Sequence, residues 1–208
     1  MFQYNHNKHY TDLLLRQVPP GCQNALDVGC GDGSLARRLA DRFGIAVTGI
    51  DRDQAMIKQA QAATSNPSLQ FVEADFMQYH FDDQFDFISA SASLHHMPFD
   101  QSLEKMVSLL RPGGVLAVLG LFREASLTDR GVALIAVPVN VFYALSRGSS
   151  SSGVPAPTKP ADMSLREIRE SISSNLPNAR LQRLLLWRYL LTWQKLYEFW
   201  TSKGAKEA

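Results

Sequence analysis

The chain has few of the features that mark secreted, membrane-spanning or nucleic-acid-binding proteins. Its 208 residues include only two cysteines, Cys22 and Cys30, and their spacing suits no metal site. A reduced, cytoplasmic compartment is therefore the simplest expectation. The formal net charge of +1 provides no basic field, so we expect no nucleic-acid partner. No basic segment leads into an apolar one at the start, which argues against a secretion signal.

The most informative segment is an apolar strand that runs into a turn with three glycines, ALDVGCGDG over 25–33. Gly29, Gly31 and Gly33 permit positive φ and let a ligand approach the main chain without meeting a Cβ. The next segment, SLARRLADRF, predicts a helix whose N-terminal N–H groups and partial positive charge face the turn. This pattern predicts a binding site for a nucleotide-like cofactor.

Apolar strands alternate with amphipathic helical stretches from Ala25 to Phe122, which predicts βαβ units and a parallel sheet. We expect strands near 25–28, 45–50, 69–73, 85–90 and 114–121, and helices near 34–43, 53–63 and 101–110. At this length one core is sufficient, so we expect a single domain over 1–208.

The second strand segment, IAVTGID, ends in Asp51, a carboxylate that can accept from both hydroxyls of a ribose. Dinucleotide sites need G-x-G-x-x-G/A, but here the third glycine comes one residue early, which argues against NAD. With Asp27 two residues before the first glycine, the pattern resembles motif I of the class I S-adenosylmethionine-dependent methyltransferases, acid-x-G-x-G-x-G.

Further segments resemble this family in the order that it requires. LQFVEADF places Asp75 after a third strand, where the family accepts from the adenine amino group. FDFISASASLHHMP, LLRPGGVLAVLGLF and ARLQRLLLWRYLLTWQK resemble the fourth, fifth and last two strands. The resemblance covers roughly residues 5 to 195. It implies an α/β fold, a doubly wound, seven-stranded, mostly parallel Rossmann-like sheet with an antiparallel last strand and helices on both faces.

The resemblance implies S-adenosyl-L-methionine as cofactor, with S-adenosyl-L-homocysteine as its product. The expected activity is methyl transfer to a small-molecule acceptor by in-line displacement at the sulfonium methyl. A non-catalytic cofactor-binding module of the same fold stays open as the alternative. The expected cofactor-binding residues are Asp27, Gly29, Cys30, Gly31, Gly33, Asp51, Arg52, Met56, Ala74, Asp75, Phe76, Ser89, Ala90, Ser91 and Tyr10.

Several of these expectations have a structural alternative. Asp27 either contacts the methionine amino group or only braces main-chain N–H groups. Arg52 either packs near adenine or lies on the surface at a helix start. Tyr10 or Tyr4 could place an aromatic face near the sulfonium, within an N-terminal cap segment over 1–20, or belong to a flexible end.

His95 and His96 are the candidate catalytic residues, because they follow the fourth strand at the carboxyl end of the sheet. Many small-molecule methyltransferases have a similar L-H-H run, whose first histidine tends to face the cofactor cleft. A base is required only if the acceptor must lose a proton, and either histidine could simply line the cleft or cap the next helix. Adjacent histidines cannot easily ligate one metal, so we expect no metal.

The segment after the fifth strand departs from the alternating pattern. VALIAVPVNVFYAL spans 14 residues and contains Pro138, which makes it too short to cross a bilayer, so we expect no membrane insertion. The stretch 147–159 is rich in serine, glycine and proline. Together they predict a substrate lid over 122–178, with an ordinary core helix as the alternative. The acceptor, the methylated atom and the oligomeric state stay open.

Overall fold

The computed structural model describes residues 6–123, 161–185 and 187–196. The helices are α1 (His6–Leu15), α2 (Ser34–Phe43), α3 (Gln54–Ala62), α4 (Phe99–Leu109) and α5 (Leu165–Asn175). The strands are β1 (Asn24–Val28), β2 (Ala46–Asp51), β3 (Leu69–Glu73), β4 (Phe85–Ser91), β5 (Leu110–Leu121), β6 (Arg180–Arg183) and β7 (Arg188–Gln194). A short 3-10 turn, Leu94–His96, follows β4.

The strands form one seven-stranded sheet in the order β3-β2-β1-β4-β5-β7-β6. The first five strands pair in parallel, whereas β7 is antiparallel to both β5 and β6. The predicted doubly wound sheet with an antiparallel last strand is therefore confirmed. β1 pairs with β2 on one side and β4 on the other, so the strand order reverses beside it. Ligands of such folds bind outside the carboxyl ends of the strands at this reversal.

Helices cover both faces of the sheet, as predicted. Leu14 of α1 and Leu39 of α2 are fully buried in one apolar cluster, together with Phe87 of β4. Met106 of α4 and Ile172 of α5 belong to the cluster on the other face. Because side chains alternate between faces and both faces are covered, the central strands are apolar over nearly their whole length.

Most predicted element bounds agree with the structure within two residues, and the largest difference is at β5. The strand begins at Leu110, directly after α4, rather than at Gly114. Leu110 pairs with Phe85 ahead of an irregularity in the β4–β5 register. The strand therefore continues through the proline and glycine segment, although Gly113 interrupts the extended backbone with a positive φ of 82°. A bulge accommodates residues that would disturb a regular ladder.

Two predicted segments lie partly outside the described residues. Residues 1–5 of the N-terminal cap and 124–160 of the lid are not described, so the lid interpretation stays a prediction. The described end of that region, 161–178, contains α5, whose Ser164 and Glu167 form a reciprocal capping box. Among the described helices, none has the length and apolar character needed to cross a membrane.

Candidate functional site

The three glycines of the turn after β1 all have positive φ but face different surroundings. A Cβ at Gly29 would lie 2.3 Å from the Ser93 Cβ, and one at Gly33 would lie 2.6 Å from the Phe71 ring. A Cβ at Gly31, where φ is 52°, would have nothing within 4 Å. Gly29 and Gly33 therefore permit close packing within the protein, while Gly31 presents open main chain to a cleft.

Asp51, at the end of β2, ties this turn to the start of α3. Its Oδ2 accepts from the Gly31 N–H at 2.9 Å, and its Oδ1 accepts from the Asp53 N–H at 2.9 Å. Asp53 in turn caps α3 through the N–H groups of Ala55 and Met56. Each carboxylate oxygen has a further lone pair, so Asp51 can hold the turn and still accept from a ribose hydroxyl.

Asp27 lies at the floor of the cleft and is 1% exposed. Its Oδ1 accepts from the Ser89 hydroxyl at 2.9 Å, and its Oδ2 has no hydrogen-bond partner among the described residues. Burial raises the pKa of Asp27 to about 7, and the nearby charges of Asp51 and Asp32 raise it further. Hydrogen bonding by the Ser89 hydroxyl and by the Ala36 main chain opposes this rise. A ligand ammonium at Oδ2 would satisfy this oxygen and favour the ionised carboxylate.

The cleft has a volume of about 850 Å³ at the carboxyl ends of β1, β2 and β4. Most of the predicted cofactor-binding residues line it: Asp27, Gly29, Cys30, Gly31, Asp51, Arg52, Met56, Ala74, Asp75, Phe76, Ser91 and Tyr10. Gly33, Ser89 and Ala90 are not in the lining. Gly33 packs against Phe71 of β3, and Ala90 is fully buried in the apolar core. Ser89 is buried and donates a hydrogen bond to Asp27.

The segment after β3 forms one side of the cleft and is held from outside by Lys105 of α4. Asp75 Oδ1 accepts from the Met77 N–H at 2.8 Å. Lys105 Nζ donates to the carbonyls of Met77 and Tyr79 at 3.1 and 2.7 Å and lies 5.2 Å from the Phe76 ring centroid. Sequence reasoning missed Lys105, because a lysine on an amphipathic helix carries no signal of its distant partner.

The segment after β4 closes the cleft on the side opposite β3. Ala92 has φ 54°, uncommon for a residue with a Cβ, and its N–H donates to the Leu119 carbonyl at 2.8 Å. The buried Ser93 hydroxyl donates to the Val28 carbonyl at 2.7 Å and so joins the ends of β4 and β1. Both residues line the cleft and were missed, because small residue types do not reveal backbone conformation.

The two predicted catalytic histidines lie against each other but differ in the cavities that they line. Their ring centroids lie 4.0 Å apart, with an angle of 40° between the rings. His96 lines the cleft, whereas His95 lines only a second cavity of about 480 Å³. His96, Met97 and Pro98 border both spaces. The structure thus places the second histidine against the cleft, rather than the first as the resemblance implied, because the backbone of the 3-10 turn brings His96 to the cleft and leaves His95 on the side of the second cavity.

Tyr10 and Arg188 form the end of the cleft nearest α1. The Tyr10 ring lies 5.1 Å from the Arg188 guanidinium carbon, and the Tyr10 hydroxyl donates to the Leu185 carbonyl at 3.1 Å. Arg188 begins β7, opposite Leu121 in β5. Sequence reasoning missed Arg188. An arginine within the otherwise apolar run LLLWRYLL was the available signal.

Comparison with known proteins identifies the family. Residues 25–114 match the model of a methyltransferase domain. An uncharacterized methyltransferase of Mycobacterium tuberculosis is 35% identical over 203 residues, covering 92% of this chain and 96% of that protein. A trans-aconitate 2-methyltransferase of Shigella flexneri is 39% identical over 119 residues, covering 56% of this chain and 46% of that enzyme.

A solved structure shares the fold. The phosphoethanolamine N-methyltransferase 2 of Haemonchus contortus, in complex with phosphomonomethylethanolamine and S-adenosylhomocysteine, superposes with a TM-score of 0.62 at 18% identity. The alignment covers 84% of this chain and 38% of that chain. At this identity the likeness concerns the fold alone.

The residues present fit S-adenosylmethionine. The open main chain at Gly31 admits a ligand, the buried Asp27 Oδ2 suits its ammonium, and Asp51 retains acceptor capacity for its ribose. These features lie around one cleft at the strand-order reversal. With its close relatives and its fold, the chain belongs to the class I S-adenosylmethionine-dependent methyltransferases, and S-adenosylmethionine is its cofactor.

Proposed function

We propose that this protein transfers a methyl group from S-adenosylmethionine to a small-molecule acceptor bound at the histidine turn. One observation carries the proposal: the second cavity borders the cofactor cleft at His96, Met97 and Pro98. A volume of about 480 Å³ suits a small organic molecule. An acceptor there lies one side chain from the cleft, which is the proximity that direct displacement requires.

In this proposal the residues of the cleft hold the cofactor and set its orientation. Asp51 accepts from the ribose, Asp27 pairs with the ammonium, and the Gly31 main chain allows the approach between them. When bound, S-adenosylmethionine supplies an already electrophilic methyl group on its sulfonium. The protein therefore contributes mainly by positioning the cofactor and the acceptor relative to each other. The hydrogen bonds of Asp51 and Ser93 keep the walls of the cleft in place.

His96 is the residue proposed to take a proton from the acceptor. It is the histidine that borders both spaces, whereas His95 faces the second cavity alone. Apolar residues such as Leu94, Phe99 and Tyr189 make up much of the lining of that cavity. An imidazole at this border accepts the proton from a hydroxyl as its oxygen attacks, or from an ammonium before the resulting amine attacks.

Other observations support a small-molecule acceptor and a cytoplasmic location. The similar Shigella enzyme is named for methylation of trans-aconitate, a small molecule. Both cysteines are free thiols in the structure, in keeping with a reducing compartment. The net charge of +1 offers little to attract a polyanion.

The test is a methyl-transfer screen with labelled S-adenosylmethionine and fractions of a small-molecule extract, followed by mass spectrometry of the labelled product. We expect one labelled small molecule, and a loss of turnover of about 10²-fold or more in His96→Gln. His80→Gln is the matched control, because that side chain is 90% exposed and outside both cavities. Cofactor binding without transfer to any fraction would instead support the non-catalytic module.

A further inference from the structure

Tyr189 carries a hydroxyl group into the interior of the protein. The residue lies in β7, is 2% exposed and belongs to the apolar cluster that includes side chains of α4 and α5. Burial raises the pKa of Tyr189 above its usual range, and no hydrogen bond opposes this rise. Over 6–123, 161–185 and 187–196, no residue donates to or accepts from this hydroxyl. A buried tyrosine hydroxyl usually has a partner, which leaves a ligand to provide one here.

Gly120 of β5 makes room for the tip of the Tyr189 ring. The two residues lie directly opposite each other in the ladder between β5 and β7. A Cβ at Gly120 would lie 2.1 Å from the Tyr189 Cζ and 2.2 Å from its hydroxyl oxygen. The ring therefore lies across β5, and its hydroxyl end occupies the space that the missing side chain leaves.

The far side of Gly120 is the segment that follows β4. β4 pairs with β5 as far as Ser91 and Leu119, so Gly120 lies just beyond the end of that ladder. The segment after β4 contains the 3-10 turn Leu94–His96, which lines the second cavity together with Tyr189. Tyr189 is not in the lining of the cofactor cleft. Its hydroxyl is therefore placed for a ligand of the second cavity and not for the cofactor.

We propose that Tyr189 binds the methyl acceptor by donating its hydroxyl hydrogen to a neutral carbonyl or hydroxyl oxygen of that molecule. Because the hydroxyl stays protonated at neutral pH, it is available as a donor. The described lining of the second cavity has no lysine or arginine and includes Asp162, which favours a neutral oxygen over a carboxylate.

The oxygen at Tyr189 is not the atom that attacks the methyl group, because a donated hydrogen bond withdraws electron density from a nucleophile. The attacking group belongs at His96, which borders the cofactor cleft. The acceptor class is then a largely apolar molecule with a nucleophilic group and a second, neutral oxygen. A tyrosine hydroxyl left unpaired would reject an analogue that lacks this oxygen.

This role of Tyr189 rests on the proposed function, since that function makes the ligand of the second cavity a methyl acceptor. Binding measurements need no turnover and so separate the two. Binding through Tyr189 in a protein that transfers no methyl group would support the hydrogen bond and contradict the proposed function alone. Methyl transfer without any effect of the Tyr189 hydroxyl on binding would contradict the hydrogen bond alone.

The experiment titrates acetophenone, benzoate and toluene into the complex with S-adenosylhomocysteine and follows chemical shifts by NMR. Acetophenone offers a neutral carbonyl oxygen, benzoate a charged one, and toluene none. We expect the wild type to bind acetophenone more tightly than either other probe. Tyr189→Phe should weaken acetophenone by about 3- to 10-fold and leave toluene within about twofold. Tyr79→Phe is the matched control, because Tyr79 lies outside the lining of both cavities.

The melting temperature of the free protein provides a second readout. Tyr189→Phe should leave it unchanged within about 1 °C, because no hydrogen bond inside the protein is lost. A fall of about 3 °C or more would show that the hydroxyl already has a partner in the protein, and would overturn the proposal. A wild type that binds acetophenone no more tightly than toluene, or a preference that Tyr189→Phe retains, would overturn it as well. Tighter binding of benzoate than of acetophenone would overturn the neutral oxygen.

Discussion

Replacing Asp27 by asparagine should remove the pH dependence of cofactor binding near neutrality. Asp27 is fully buried beside the cleft, its Oδ2 has no hydrogen-bond partner among the described residues, and its pKa is raised to about 7. If the cofactor ammonium pairs with the carboxylate, only the ionised protein binds well. The apparent Kd is then the intrinsic value multiplied by one plus the ratio of protonated to ionised Asp27. Between pH 6 and 7.5 this factor falls by about eightfold.

The assay is isothermal titration of S-adenosylhomocysteine at pH 6, 6.5, 7 and 7.5, in buffers of different ionisation enthalpy. The wild type should bind about eightfold more tightly at pH 7.5 than at pH 6 and release close to one proton at the acid end. Asp27→Asn should bind weakly at every pH, without this slope. An equal slope in both proteins, or a flat profile in the wild type, would refute the pairing of Asp27 with the ammonium.

The same group should affect folding stability with a defined sign. Its pKa rises from 3.8 in the unfolded chain to about 7 in the folded protein. Its favourable contribution is therefore complete below about pH 4 and is lost as the pH rises through 7. Between pH 5 and 8 the loss is about 3 kcal/mol, and urea unfolding of the wild type against Asp27→Asn isolates it. Parallel pH profiles of the two proteins would contradict this reasoning.

Four further substitutions test the cleft and the contacts that support it. Gly33→Ala should lower the free energy of unfolding, measured in urea, by about 2 kcal/mol or more, because the new Cβ would lie 2.6 Å from the Phe71 ring. Gly31→Ala should lower the free energy of unfolding by less but weaken the binding of S-adenosylhomocysteine, measured by titration. Asp51→Asn leaves one of two main-chain N–H groups, at Gly31 or Asp53, without an acceptor and should weaken S-adenosylhomocysteine at least tenfold in titration. Lys105→Met should lower the free energy of unfolding in urea by about 1–2 kcal/mol, because the hydrogen bonds to two carbonyls are lost, and should weaken cofactor binding to a smaller extent. An unchanged urea unfolding curve would contradict this expectation.

The local patterns of the sequence were sufficient for the cofactor half of the fold. Apolar runs of strand length and the helix after the glycine turn predicted β1, α2 and β2 nearly to the residue. These elements are covered on both faces of the sheet, so the spacing of apolar residues along the chain is sufficient to predict them. The same holds for Asp27 and Asp51, whose spacing around the turn is a short-range pattern.

Within the same turn, the sequence did not determine which glycine faces the cleft. Gly33 matched the motif as well as Gly31 did, yet a ring of β3 lies where its Cβ would be. Likewise His95 and His96 are adjacent and chemically identical, and only the 3-10 turn after β4 decides which one reaches the cleft. These distinctions depend on side chains contributed by other elements, which no local pattern contains.

The sequence by itself determined the order of elements, the glycine turn and the acids at the strand ends, because each is a property of consecutive residues. The tertiary structure alone decided that Arg188 meets Tyr10, that Lys105 supports the loop after β3 and that Ser93 joins the ends of two strands. Those contacts join elements that are distant in the chain: a helix to a strand, a helix to a loop, and the ends of two strands. Only the last follows directly from the strand order, in which β1 and β4 are neighbours, and all three exist only in the folded chain.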